Sequence, residues 1–164
     1  MNQLNIEAIL STLNEGSVRF LLIGGVNFMI RHVPLLTYDV DVWVDEQEDN
    51  LSRLSFALNK MEAEWGPTED SWKIVPSHSN WLKQQMVFCM TTPLGALDVF
   101  RDLRGLEGQF ENCFSRSVSV TLNSGLVVRA LSDEDMLQSQ LALAPHEQNP
   151  VKVETLRKAI ANGR

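Results

Sequence analysis

The chain has 164 residues, 44% of them apolar, a length and composition that suit one folded domain around one core. Fourteen Lys and Arg against 21 Asp and Glu leave a net charge of −7, which argues against broad binding to nucleic acid or to an anionic membrane. No apolar run reaches bilayer length, the N-terminus lacks an export signal, and the isolated Cys89 and Cys113 read as reduced, mostly buried thiols of a cytoplasmic protein.

Ile6, Ile9, Leu10 and Leu13 recur at helical spacing and predict an amphipathic helix over residues 4–15, stopped at Gly16. Residues 18–23, VRFLLI, form a short apolar run of the kind found in a central strand. After Gly24-Gly25 a short helix is predicted to end before Pro34, and a strand follows over 38–44. Leu51, Leu54, Leu58 and Met61 predict a helix over 47–63, and its acidic start suits a helix N-terminus. Residues 65–84 read as loops with one short strand near 72–75. Strands are predicted at 85–91 and 96–100, then a hairpin of residues 117–122 and 126–131 about Asn123-Ser124-Gly125. Ser132 and Asp135 resemble a capping box opening a helix over 133–143, and Val153, Leu156 and Ile160 mark a last helix. The expected organisation is a single domain over 1–164, with a short helical extension from about residue 132.

The strand at 38–44 alternates strictly, with Val40, Val42 and Val44 on one face and Asp39, Asp41 and Trp43 on the other. Two carboxylates side by side repel unless a cation or a proton lies between them, so Asp39 and Asp41 ask for a divalent metal. Gly24 and Gly25 place bare backbone N–H groups at a helix start, where an anion such as phosphate is favoured. Asp98, flanked by the apolar Leu97 and Val99, is the candidate third carboxylate, able to hold a metal and to take a proton from an attacking hydroxyl. Together these features point to metal-assisted phosphoryl or nucleotidyl transfer.

Leu22-Ile23-Gly24-Gly25, a short helix, Thr37-Tyr38-Asp39-Val40-Asp41 and Leu97-Asp98-Val99 together resemble the nucleotidyltransferases of the DNA polymerase β superfamily. The pattern is most similar to the small prokaryotic branch that includes toxin–antitoxin and abortive-infection enzymes, and residues 130–137 look like the leader of that branch's C-terminal helix. The resemblance implies an α/β fold: a mixed β-sheet flanked by helices. It implies transfer of a nucleoside monophosphate from an NTP to a hydroxyl on protein, RNA or a small molecule, with Mg²⁺ or Mn²⁺ as cofactor. Gly24, Gly25 and Thr37 would then touch the nucleotide, while Asp39, Asp41 and Asp98 would hold the metals and serve catalysis. Leu35 and Leu36 stand where the branch carries a basic residue, and Gln140 and Ala144-Pro145 stand where it carries a Lys and an Arg. Arg31, His32, Lys73 and Lys83 are the cations expected to compensate. Two rival readings keep the fold: a nucleotide-binding module without turnover, and a toxin–antitoxin complex component. The expected partners are nucleotide and either a second copy or a small helical protein; the charge does not indicate a nucleic-acid acceptor.

Other residues carry milder expectations. Trp43 either stacks on a base or packs against a helix. Trp65, Trp72 and Trp81 line a cleft, anchor a loop or serve a partner contact. His32, His78 and His146 are surface or structural, and Lys152, Arg157, Lys158 and Arg164 read as a solvated helix face.

Overall fold

A computed structural model describes residues 3–163, so Arg164 of the C-terminal basic group lies outside the described residues. The elements are α1 (Ile6–Glu15), β1 (Phe20–Ile23), α2 (Gly24–Arg31), β2 (Asp39–Val44), α3 (Glu48–Lys60), β3 (Glu64–Trp65), β4 (Lys73–Ile74) and β5 (Val87–Thr92). There follow β6 (Gly95–Phe100), α4 (Phe110–Ser115), β7 (Val118–Thr121), β8 (Val127–Ala130), α5 (Asp133–Leu141) and α6 (Pro150–Ala161). The described strands form one mixed sheet in the order β4-β3-β5-β6-β2-β1-β8-β7. β1 runs antiparallel to β2, whereas β2 and β6 are parallel.

Alternation divides this sheet into two faces. Leu22, Val40, Val42, Leu97, Val99, Phe88 and Met90 point to one face, where α1 and α3 cover them with Ile9, Leu10, Leu13, Leu54 and Leu58. Leu21, Ile23 and Trp43 point to the other and pack with Phe28, Leu106, Cys113, Leu131, Met136 and Leu156. Among the described residues, that second face is covered over β1, β2 and the Phe100 end of β6. Beyond β6 it is bare, and Val87, Cys89 and Thr91 of β5 stand exposed.

Several sequence expectations shift. α3 stops at Lys60 because the chain reverses at Glu62, which takes a left-handed φ of 58° and lets the Ala63 N–H donate to Leu58. α4 leaves no mark in the sequence pattern, because six residues give too few turns for a periodic signal. The capping box is half formed. Ser132 accepts the Asp135 N–H at 3.2 Å, but the Asp135 carboxylate turns away to a bidentate pair with Arg116, at 2.8 Å on each arm. Trp65 and Trp81 are largely buried and border a cleft with the edge they keep, rather than presenting an exposed contact surface. Each meets Phe88, with ring centroids 4.9 and 5.2 Å apart, because β3 folds back beside β5 and closes the core there. Trp72 alone of the three loop tryptophans is exposed.

Candidate active site

Parallel pairing of β2 with β6 sets Asp41 directly opposite Asp98, and Asp39 opposite Ala96. Burying Val40, Val42, Leu97 and Val99 on the far face therefore forces all three carboxylates onto the near one. Ligand oxygens of Asp39, Asp41 and Asp98 lie within 4.8 Å of one another. The cost of this crowding shows in the protonation of Asp41 and Asp98. Burial first, then the charges of Asp39 and Asp98, push the Asp41 carboxyl up to about 8. Burial and the neighbouring Asp39 push Asp98 up to about 6. Three clustered carboxylates are hard oxygen donors and fit a divalent cation such as Mg²⁺ or Mn²⁺.

Gly24 sits beside this trio for a steric reason. Its φ is +70°, and a Cβ there would lie 2.1 Å from Asp41 Oδ2. Only a residue without a side chain lets β1 turn into α2 so close to that carboxylate. A Cβ on Gly25 would meet Thr37 Oγ1 at 3.0 Å. The Thr37 hydroxyl donates to the Asp39 carbonyl at 3.1 Å, so it braces the loop entering β2. Gly24 and Gly25 are the first two residues of α2, and their N–H groups belong to the unpaired first turn.

None of the four compensating cations named from sequence reaches the carboxylates. Arg31 and His32 both bind the buried Asp133 Oδ1, at 2.9 and 2.8 Å, and so pin α2 to the start of α5. Lys83 pairs with Glu48 at 3.3 Å. Lys73 lines a separate cleft with Trp65 and Trp81. The cation at the site is Lys152 of α6, which therefore does not lie on a solvated face with the other C-terminal basic residues. It is half-buried, feels Asp41 and Asp39, and carries its Nζ 5.9 Å from the Phe28 ring centroid. Burial lowers its pKa, and the two carboxylates oppose that shift. A periodic signal was available: Lys152 shares a helical face with Leu156 and Ala159, the residues of α6 that are buried.

Between α2, α5 and α6 lies a cavity of about 220 Å³ bordered by Gly24, Asp41 and Lys152. Its inner wall is apolar, from Phe28, Phe100, Leu131 and Met136, with Ser139 and Gln140 as polar lining. Gln140 Oε1 accepts the Asn149 N–H at 2.9 Å, so Gln140 ties α5 to α6. Leu35 packs against the core on this face, which explains an apolar residue at its position. Trp43 is buried against Phe110, ring centroids 5.4 Å apart and edge-on, so it is a packing residue and no base can stack on it. His32 is structural, and His78 and His146 are exposed. Cys113 is buried as expected. Cys89 is exposed instead, because it shares the parity of Val87 and Thr91 on the bare face and stands opposite Asp98.

No protein-family model and no curated protein sequence matches this chain. Solved structures do. A Thermotoga maritima protein assigned as a nucleotidyltransferase superposes with a TM-score of 0.57 at 17% identity, covering 98% of this chain and 97% of its own. The lincosamide antibiotic adenylyltransferase LnuA, bound to lincomycin, gives 0.61 at 13% identity over 95% of this chain and 98% of its own. ANT(2″)-Ia in complex with adenylyl-2″-tobramycin gives 0.55 at 13% identity, over 96% and 86%. The chain therefore has the nucleotidyltransferase fold: a mixed sheet flanked by helices, as its motifs implied.

Proposed function

We propose that the protein is a metal-dependent nucleotidyltransferase that moves a nucleoside monophosphate from an NTP to a hydroxyl. The observation that carries this reading is the convergence of Asp39, Asp41 and Asp98 beside the Gly24 turn. Asp39 and Asp41 would hold Mg²⁺ or Mn²⁺, with Asp98 as the third ligand; the ions supply charge neutralisation of the phosphates and activation of the hydroxyl. The first-turn N–H groups of Gly24 and Gly25 bind phosphate oxygens, and Lys152 neutralises the triphosphate from the opposite wall. The cavity behind Gly24 excludes water from one side of the nucleotide. The acceptor oxygen attacks the α-phosphorus. A new P–O bond forms, the bond to the β-phosphate breaks and pyrophosphate leaves. Asp98, set beside the other two carboxylates, is placed to take the hydroxyl proton.

LnuA is a lincosamide adenylyltransferase and ANT(2″)-Ia carries adenylylated tobramycin, and their fold likeness supports a small-molecule acceptor. A toxin–antitoxin role is the second reading; the exposed Leu36 and Tyr38 beside Asp39 favour it as a protein contact. Mn²⁺ titration with and without each NTP tests the main reading. Binding is expected in the wild type and absent in the Asp39→Asn/Asp41→Asn double variant; equal binding by both refutes it.

A further inference from the structure

The carboxylates stand at a step in the sheet, with helices over β1 and β2 on one side and the bare strands β5, β3 and β4 on the other. The nucleotide cavity lies under the helices. The bare side is continuous with Asp98, through Cys89 opposite it on β5. Register carries this floor outward: Thr91 is diagonal to Asp98, Glu64 is opposite Thr91, and Ile74 is opposite Glu64. Trp72 lies over its outer part. The indole Nε1–H donates to Thr91 Oγ1 at 3.3 Å, which holds the ring in place, yet the residue as a whole stays 40% exposed. An exposed tryptophan held by its own polar edge presents a fixed flat apolar face. Diagonal neighbours across paired strands are about 7–8 Å apart, so Thr91, which holds the ring, stands one such step from Asp98.

Charge narrows what fits. Among the described residues this floor carries no Lys or Arg: its members are Val87, Cys89, Thr91, Glu64, Trp72 and Ile74. Lys73 points to the opposite face with Trp65. Glu64 is exposed and belongs to none of the ion pairs found among the described residues. A phosphate-bearing acceptor would meet no countercharge there, and a nucleic-acid strand needs a row of them. We infer that the bare face of β5, β3 and β4 is the acceptor floor, and that it selects a small ring-bearing alcohol, neutral or cationic, which lies on Trp72 with its hydroxyl at Asp98. This rests on the nucleotidyltransferase reading and adds the acceptor class to it.

Nuclear magnetic resonance titration tests it with phenyl β-D-glucoside, a neutral ring-bearing alcohol, against phenyl phosphate and a short oligoribonucleotide. The Trp72 indole resonance is identified by its loss in Trp72→Phe. The glucoside is expected to shift that signal and the amides of Cys89 and Thr91, and to bind about tenfold more weakly to Trp72→Ala, with Trp72→Phe retaining the amide shifts. No shift with the glucoside, or equal or larger shifts with phenyl phosphate or the oligoribonucleotide, overturns the inference. Mn²⁺–NTP titration of the wild type is a separate readout: its failure removes the nucleotidyltransferase reading, whereas failure at Trp72 alone removes only the acceptor class.

Discussion

Replacing Gly24 with Ala separates the fold from the site, because its two costs fall in different places. The backbone there is left-handed, at φ +70°, and a residue with a Cβ pays about 1–2 kcal/mol for that conformation. Stiffening the unfolded chain returns about 0.4–1 kcal/mol. The net loss of about 1 kcal/mol lowers the melting temperature by roughly 2–4 °C in a chain of this size. The new Cβ would also sit 2.1 Å from Asp41 Oδ2 and 2.9 Å from its Cγ, so the Asp41 side chain must swing away. That movement adds little instability, since it separates repelling carboxylates. Metal affinity bears the damage, and a fall of at least about tenfold is expected, equivalent to about 1.4 kcal/mol. Gly25→Ala is the control. Its φ is not left-handed and its new contact is Thr37 Oγ1 at 3.0 Å, so Mn²⁺ affinity should stay within about threefold of wild type. Thermal denaturation in chelator and calorimetric Mn²⁺ titration give the two readouts. Wild-type Mn²⁺ affinity in Gly24→Ala would refute the argument that the glycine exists to make room for Asp41.

Without metal, stability should fall as pH rises from the ordinary carboxylate value of 3.8 through about 8. Asp41 and Asp98 keep protons in the folded chain that the unfolded chain has already released. Urea midpoints at about pH 5 and about pH 8 in chelator check the sign, and a rise instead of a fall contradicts it. If Lys152 serves the nucleotide as proposed, Lys152→Met should weaken NTP binding roughly tenfold while Mn²⁺ alone binds nearly as before, since an apolar stem replaces the charge that borders the cavity. Unchanged NTP affinity places Lys152 outside the nucleotide site. Asp133→Asn should cost about 3 kcal/mol in urea unfolding, because Arg31 and His32 lose a carboxylate that is nearly fully buried. A cost below about 1 kcal/mol would mean that this cluster does not hold α2 to α5.

What the sequence disclosed was local and periodic. A strand with Val40, Val42 and Val44 on one parity must put Asp39 and Asp41 on the other, and Leu97 and Val99 place Asp98 by the same rule. The hairpin about Gly125 was legible because its turn needs a left-handed residue, and Gly125 has φ +90°. The misses depended on which elements meet. Periodicity puts Lys152 on the buried face of α6, but it faces the carboxylates only because α6 folds back toward α2, and periodicity does not name the element a face will meet. The burial of Trp65 and Trp81 depends on Phe88, more than twenty residues from Trp65. Cys89 is exposed because no helix among the described residues covers the far half of the sheet, a fact of topology that the alternation of β5 could not supply.

The crowding of three carboxylates at one register also bears on how such a chain can change over generations. The apolar sides of β2 and β6 hold the fold, and the acidic sides work against it. Neutralising Asp41 or Asp98 relieves repulsion and leaves the core untouched, so an inactive descendant gains stability as it loses the site. Drift alone would then favour silent, sturdier copies of the same scaffold. Persistence of all three acids in a lineage is accordingly a record of selection acting on chemistry, and their piecemeal loss is the expected first mark of a copy released from it.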